Sequence, residues 1–333
     1  MMRNKAVSRV VVTGGSGFIG TNLVQKLLDS GYEVLNLDIN APRNKEHSNL
    51  YRRCDILDLS ALSAAMESFA PSALVHLAAR TDLTEDGELH SYAVNIDGIK
   101  NLLQVIAGIP SIRRVLFASS KLVNRNGQRV ESVLEYTPDT LYGKSKVVGE
   151  QLVREAPPNC EWAILRPTSI WGPWFGAPYH NFFRSVSRGI YFHMIGCDLP
   201  KRFGYVGNTI AQILALLECP YSQMHGDTFY LADYCVTSVR EWADEISIQL
   251  KGKRNLQAPD WLVTMAAHAG DLAKRCGVKD PPLTSFRLGN LLTATDDVPL
   301  DNTATVCPHL PYSQADGVSR TLEWLRNGRT QRP

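Results

Sequence analysis

Long apolar runs are missing from this 333-residue chain: it has no stretch of about 18 apolar residues, the least that crosses a bilayer as a helix. No signal-like apolar core precedes Arg9, because Met1 leads through Arg3 and Lys5 straight into a short strand-like run. Paired cysteine spacings are lacking too. The seven cysteines (Cys54, Cys160, Cys197, Cys219, Cys235, Cys276 and Cys307) are scattered, odd in number and without a CxxC pair. That pattern speaks against a disulfide framework and against a zinc site, so no metal is expected. Neither sign of charge dominates. Thirty-five Lys and Arg against 33 Asp and Glu leave +2, which gives nucleic acid or an anionic membrane no footing. Repeats and low-complexity tracts are absent. A soluble, cytoplasmic globular protein is the expectation, and 44% hydrophobic residues suffice for a substantial core.

What the chain does have is alternation. Arg9–Thr13 (RVVVT) is the β-branched run of a strand buried on both faces. An amphipathic stretch over 18–30 follows, stopped by Gly31, and 33–37 reads as the next strand, ending at Asp38. Strand-like runs recur at 73–77, 115–119 and 162–165, with helical patterns at 59–69, 88–106 and 141–154. Such β-α alternation predicts an α/β fold, a doubly wound parallel sheet with helices on both faces. After Arg166 the regularity breaks, and Pro and Gly crowd 167–178. Residues 167–333 are expected to form mainly a smaller C-terminal α/β substrate lobe at the carboxyl ends of the strands, with some segments returning to the sheet.

The first turn carries Gly14, Gly17 and Gly20 in the run Thr13-Gly-Gly-Ser-Gly-Phe-Ile-Gly20, directly after a strand and opening a helix. The three glycines serve a tight turn, backbone approach to a pyrophosphate and close helix–strand packing, while the helix N-terminus favours the anion. Alone the glycine pattern is a weak signal. Asp38 strengthens it, because a carboxylate about 20 residues on, at the end of the second strand, accepts from ribose hydroxyls. It also repels a 2′-phosphate, so the cofactor reads as NAD rather than NADP, although Arg43 nearby points the other way. Residues 1–166 thus read as a Rossmann-type NAD-binding domain. Asp55 and Ile56, after the third strand, either meet the adenine or leave Asp55 as a capping or solvated residue.

Tyr142 and Lys146 are four residues apart in a predicted helix and share a face. A phenol with a pKa near about 10 is a poor base at neutral pH. A neighbouring ammonium stabilises phenolate, so Lys146 is expected to lower that pKa and make Tyr142 an acid/base catalyst. Ser120, at the end of the strand 115–119, can hydrogen-bond the same substrate oxygen. A lone Tyr-x-x-x-Lys is commonly a surface pair. Here it follows a Ser-Ser strand end and a complete dinucleotide loop, in that order.

On these residues, with His76-Leu-Ala-Ala79, Asn95, Phe117-Ala-Ser-Ser120 and Leu165-Arg-Pro167, the chain resembles the extended short-chain dehydrogenases/reductases of the NAD-dependent sugar epimerase/dehydratase family. The resemblance runs nearly the full length, through the closing TLEWLR (321–326). It implies that Phe18, Ile19, Leu77, Ala78, Ala79, Ser119 and Pro167 join Gly14, Gly17, Asp38, Asp55, Ile56, Tyr142 and Lys146 around NAD. Ser120 would be the catalytic hydroxyl, and Asn95 a structural bridge from a helix to the active-site strand. On the substrate side it implies Thr81, Ser169, Asn181, Arg287 and Lys201, with Arg202 beside it, as contacts of a nucleotide diphosphate and its base. Lys201 stands where the family has Arg and grips phosphate as a point charge. Asn208, in place of an Asp, is expected to cap the helix that follows.

Two departures bear on the reaction. Dehydratases of the family place Asp-Glu directly after the catalytic hydroxyl, whereas here stand Lys121 and Leu122, and Leu122 cannot transfer a proton. The usual Val-Tyr-Gly becomes Val123-Asn124-Arg125. The reading that remains is a nucleotide-sugar epimerase: hydride removal from a sugar carbon and return to its other face. The alternatives are a reductase or dehydrogenase of a keto-sugar nucleotide or a steroid-like or other small alcohol, and a non-catalytic NAD-sensing protein. The helices 88–106 and 141–154 are expected to pair across a two-fold axis in a homodimer.

Overall fold

The computed structural model describes residues 7–330 apart from 84–87, 197, 279–280, 282, 286–287, 290–291 and 296. Arg287 therefore lies outside the described residues.

Seven parallel strands form the central sheet: β1 (Arg9–Thr13), β2 (Glu33–Asp38), β3 (Tyr51–Arg53), β4 (Ala73–His76), β5 (Arg114–Ala118), β6 (Glu161–Pro167) and, far along the chain, β11 (Thr228–Leu231). Their order is β11-β6-β5-β4-β1-β2-β3. The chain reverses its winding between β1 and β4, which opens the crevice where ligands bind in such sheets. This is a Rossmann-type α/β fold. β1 shows why a sheet so covered is apolar throughout. Val10 and Val12 join the core on one face and Val11 the core on the other, so each successive residue is buried.

On one face lie α2 (Leu59–Phe69), α3 (Ala93–Ala107) and α4 (Leu141–Glu155), and on the other α1 (Phe18–Asp29) packs against α6 (Val206–Glu218). The helix expected over 88–106 is in fact a 3-10 turn, Leu89–Tyr92, followed by α3. Sequence periodicity does not separate the two, because both bury the same side.

The core under α1 and α6 continues without a break into the C-terminal region. There Trp242, on α7 (Val239–Lys251), has its ring 4.7 Å from Phe182, 4.8 Å from Phe203 and 5.0 Å from Trp171. Those rings tie α5 (Tyr179–Arg188) to two short strands, β7 (Ser169–Trp171) and its parallel partner β10 (Phe203–Tyr205). Two more pairings, each two residues long, complete the region: β8 (His193–Met194) with β13 (Gln257–Ala258), and β9 (Pro200–Lys201) with β12 (Thr237–Ser238). α8 (Asp260–Arg275) follows, and a last helix spans Gln314–Thr330.

Candidate active site

The glycine loop is packed too closely for side chains. Gly14 has φ +74°, and a Cβ on it would lie 2.6 Å from the Ala78 nitrogen; one on Gly20 would lie 2.2 Å from the Gly14 carbonyl oxygen. So the turn after β1, the turn after β4 and the start of α1 touch backbone to backbone. Gly17 precedes α1 with no side-chain cap, and Phe18 and Ile19 are half-buried in its first turn. The first N–H groups of the helix thus face the crevice, which suits a pyrophosphate. Asn36 completes the cradle, a residue that sequence reasoning missed: its amide donates to Ser16 Oγ (3.1 Å) under Gly15.

Asp38 ends β2 with Oδ2 accepting the Ser16 N–H (3.0 Å) and Oδ1 the Asn40 N–H (2.9 Å). The carboxylate is thereby fixed at the rim of the cradle. Asp55 is exposed and accepts the Leu57 N–H (2.9 Å), while Ile56 is buried under α3. The cap of α2 is Asp58.

In the β4 turn, the His76 ring bonds to Thr13 Oγ1 (2.7 Å), and burial, aided by Lys146, pushes its pKa down to about 3. His76 is a neutral core residue. Leu77, Ala78 and Ala79 are half-buried, and Thr81 is exposed. Asn95 accepts the Arg80 N–H (2.8 Å), donates to the Arg80 carbonyl (3.0 Å) and donates to Ser145 Oγ (2.8 Å). It thus joins α3 to the loop after β4 and to α4.

The Ser-Tyr-Lys set converges. Ser120 follows β5 and caps a short turn, its Oγ accepting the Leu122 N–H (3.1 Å). α4 starts at the cap Thr140, whose hydroxyl accepts the Gly143 N–H (3.0 Å). Gly143 lets α4 press on that turn, since a Cβ there would lie 2.2 Å from the Leu122 carbonyl oxygen. The Tyr142 hydroxyl is brought beside that of Ser120 as a result. Lys146 donates to the Ala118 carbonyl (2.8 Å), with its Nζ 6.0 Å from the centre of the Tyr142 ring. Ser119 Oγ is buried and has no partner among the described residues.

One electrostatic expectation is corrected. Burial pushes Tyr142 up to about 12; the Ser120 hydrogen bond only partly opposes it, and Tyr92 adds to the rise. Burial likewise pulls Lys146 down to about 8 despite Glu150. Lys146 does not lower the phenol, because its ammonium is turned onto a carbonyl and desolvation dominates both groups.

Glu150, at the far end of α4, is fully buried against Arg166 of β6 at 2.7 and 2.8 Å. Arg166 also donates to Tyr230 of β11 (2.7 Å) and to the Val133 carbonyl (2.7 Å). The sequence signal for this was the Leu-Arg-Pro run, whose Arg carried no role until its partner was visible.

The expected substrate contacts are spread over the C-terminal region. Pro167 is half-buried at the end of β6, Ser169 is half-buried near the Tyr179 hydroxyl, and Asn181 is half-buried on α5. Lys201 is buried with its ammonium on the Thr293 carbonyl, and Arg202 donates to the carbonyls of Tyr234 (2.6 Å) and Asp233 (3.3 Å). Asn208 does not cap a helix. α6 begins at Val206, and Asn208 sits in its first turn, donating to Asp233 Oδ1 (2.8 Å) and the Tyr312 carbonyl (2.9 Å) and accepting the Tyr312 N–H (3.1 Å). Two tertiary partners there outweigh a cap. Lys121 is half-buried beside Ser120 and lines a cavity of about 80 Å³ with Asn124, Gln128, Tyr230 and Asp297. Burial and the Lys201 charge pull its pKa down to about 8.

The comparisons agree with this geometry. Residues 10–232 match the model of the NAD dependent epimerase/dehydratase family. The chain is 32% identical over 195 residues to a 3β-hydroxysteroid dehydrogenase/Δ5→4-isomerase of Mycobacterium tuberculosis. That match covers 55% of this chain, which spans about half (52%) of that relative's length. It is 25% identical over 328 residues to the N-acetyl-α-D-glucosaminyl-diphospho-ditrans,octacis-undecaprenol 4-epimerase of Escherichia coli O157:H7, covering 95% of this chain and 94% of that protein. In structure it is similar to a UDP-glucose 4-epimerase from Thermotoga maritima, with a TM-score of 0.73 at 19% identity, over 96% of this chain and 99% of that one. The chain belongs to the NAD-dependent epimerase/dehydratase family.

Proposed function

We propose that this enzyme is a nucleotide-sugar epimerase that oxidises a ring carbon of a sugar and reduces it again from the other face. The observation that carries the reading is the burial of Ser120, Tyr142 and Lys146 together at the end of β5, with the Ser120 hydroxyl close enough to act on the Tyr142 phenol. The cradle suits NAD: no side chain fits at Gly14 or Gly20, Asp38 is poised for a ribose, and Ser119 Oγ is buried unbonded. Gly14, Gly17, Phe18, Asp38, Ser119, Tyr142, Lys146 and Pro167 would hold it. Bound NAD supplies a hydride acceptor, and in its reduced form the donor.

The protein's own work is on the proton. Tyr142, with its pKa near 12, carries its proton at neutral pH, the form that donates to a carbonyl oxygen as that oxygen becomes an alcohol. The opposite half-reaction needs phenolate, which the Ser120 hydroxyl stabilises by hydrogen bonding. Leu122 offers no proton relay for dehydration. Residues 167–333 would close mainly on the nucleotide sugar, with Lys201 and Arg202 nearest its diphosphate. Two copies would pair through α3 and α4, along half-buried Val94, Leu103, Val148 and Leu152.

A panel of sugar nucleotides, with product NMR and the nicotinamide absorbance followed together, tests the proposal. Epimerised product with no net absorbance change is expected, and Tyr142→Phe should lower kcat by about 10²–10⁴. Net NADH formation from a secondary alcohol would instead favour a dehydrogenase, the reading that the 3β-hydroxysteroid relative supports.

A further inference from the structure

α8 is built inside out. Its inward residues are small: Ala267 is buried, and a Cβ on Gly270 would collide with the Leu283 carbonyl. Its large apolar residues face outward, Trp261 and Met265 each 61% exposed and Leu272 62%. At 100° per residue these three fall within one narrow stripe. Exposed apolar residues also flank the paired strands β8 and β13, the second of which leads into α8. His193 N–H donates to the Leu256 carbonyl (2.8 Å) and Ile195 N–H to that of Ala258 (3.1 Å), which holds exposed Phe192, Ile195 and Leu256 together at the start of the helix. Single exposed apolar side chains are ordinary, but three on one helical stripe, with others on the segments that lead into it, mark a contact surface. Both ends of the stripe are basic. Residues 251–275 contain five Lys and Arg against two Asp, with Lys253 and Arg254 before Leu256 and Lys274 and Arg275 closing α8, all four exposed. The net charge of +2 conceals this local imbalance.

We propose that this face rests on an anionic lipid bilayer. Its apolar stripe enters the headgroup boundary and its basic ends meet lipid phosphates, in the manner of an interfacial helix. Among the described residues no helix is long and apolar enough to cross a membrane, so the contact is with one leaflet.

Flotation of the full chain with phosphatidylcholine vesicles and with vesicles also containing phosphatidylglycerol is the test. Binding only to the anionic vesicles, lost at high salt and accompanied by a blue shift of Trp emission, is expected. The double variant Trp261→Ser/Leu272→Ser should reduce partition at least about tenfold and leave NAD affinity unchanged, because both side chains are exposed. No flotation, or equal binding to both vesicle types, would overturn the proposal. So would a dimer in sedimentation that this double variant dissolves, since a second copy would then be what covers the stripe.

Discussion

Gly143 stands so close to the carbonyl oxygen of Leu122 that even a methyl group cannot pass between them. That contact sets the distance from α4 to the turn after β5, and with it the meeting of Tyr142 and Ser120. Gly143→Ala must push the helix outward, an overpacking cost of about 1–3 kcal/mol. Turnover should fall by at least about tenfold, while NAD binding by titration and the far-ultraviolet spectrum stay close to wild type. Unchanged kcat would show that the contact does not position the phenol.

The lowered pKa of Lys146 has a consequence for stability. With a folded pKa of about 8 against an ordinary 10.5, the unfolded chain binds more protons between those values. Stability from this group therefore rises with pH across that window and is flat below it. Lys146→Met removes the buried charge, so it should stabilise the chain near neutral pH by on the order of 1–3 kcal/mol while abolishing turnover. The Tm advantage of the variant should shrink as pH is raised from about 8 towards 10.

Asp38 should set the choice between the two nicotinamide dinucleotides. Asp38→Asn keeps the side chain's shape and removes its charge, and so lifts the repulsion of a 2′-phosphate. The preference for NADH over NADPH, from Kd values in fluorescence titrations, should fall by about 10–100-fold. An unchanged ratio would place the ribose elsewhere.

Asn95 satisfies three polar groups with one amide, two part-buried and one buried. Asn95→Leu keeps the branched shape but leaves the Arg80 N–H and carbonyl without this partner and takes a donor from Ser145 Oγ, whose own proton stays on the Tyr142 carbonyl. A loss of about 2–4 kcal/mol in urea unfolding is expected, with a matching fall in Cm and little change in m.

Features that depend on short spacing were legible in the sequence. The glycine loop, Asp38 and the Tyr142–Lys146 pair each sit within one turn, one strand end or one helix face, and the β-α alternation around them specified a parallel sheet. Features that depend on partners far along the chain were not. Nothing near Asn208 announces Asp233 or Tyr312, and Asp55 and Asp58 are equally good caps on paper. The direction of the Tyr142 shift was misread for a related reason: spacing puts an ammonium nearby, but only the fold shows that both groups are buried and that the ammonium turns to Ala118. The outward face of α8 escaped because its apolar periodicity looks the same whichever side meets the core.

The Glu150–Arg166 pair has a consequence for how such an enzyme can diversify. α4 is a single rod with the Tyr142 phenol near one end and, two turns on, an anchor into two sheet strands at the other. Its position is held there by two side chains that are buried against each other. Beyond Pro167, Tyr230 is therefore held to its place by the anchor, whereas segments that do not touch Arg166 can drift in sequence without shifting the rod that carries Tyr142.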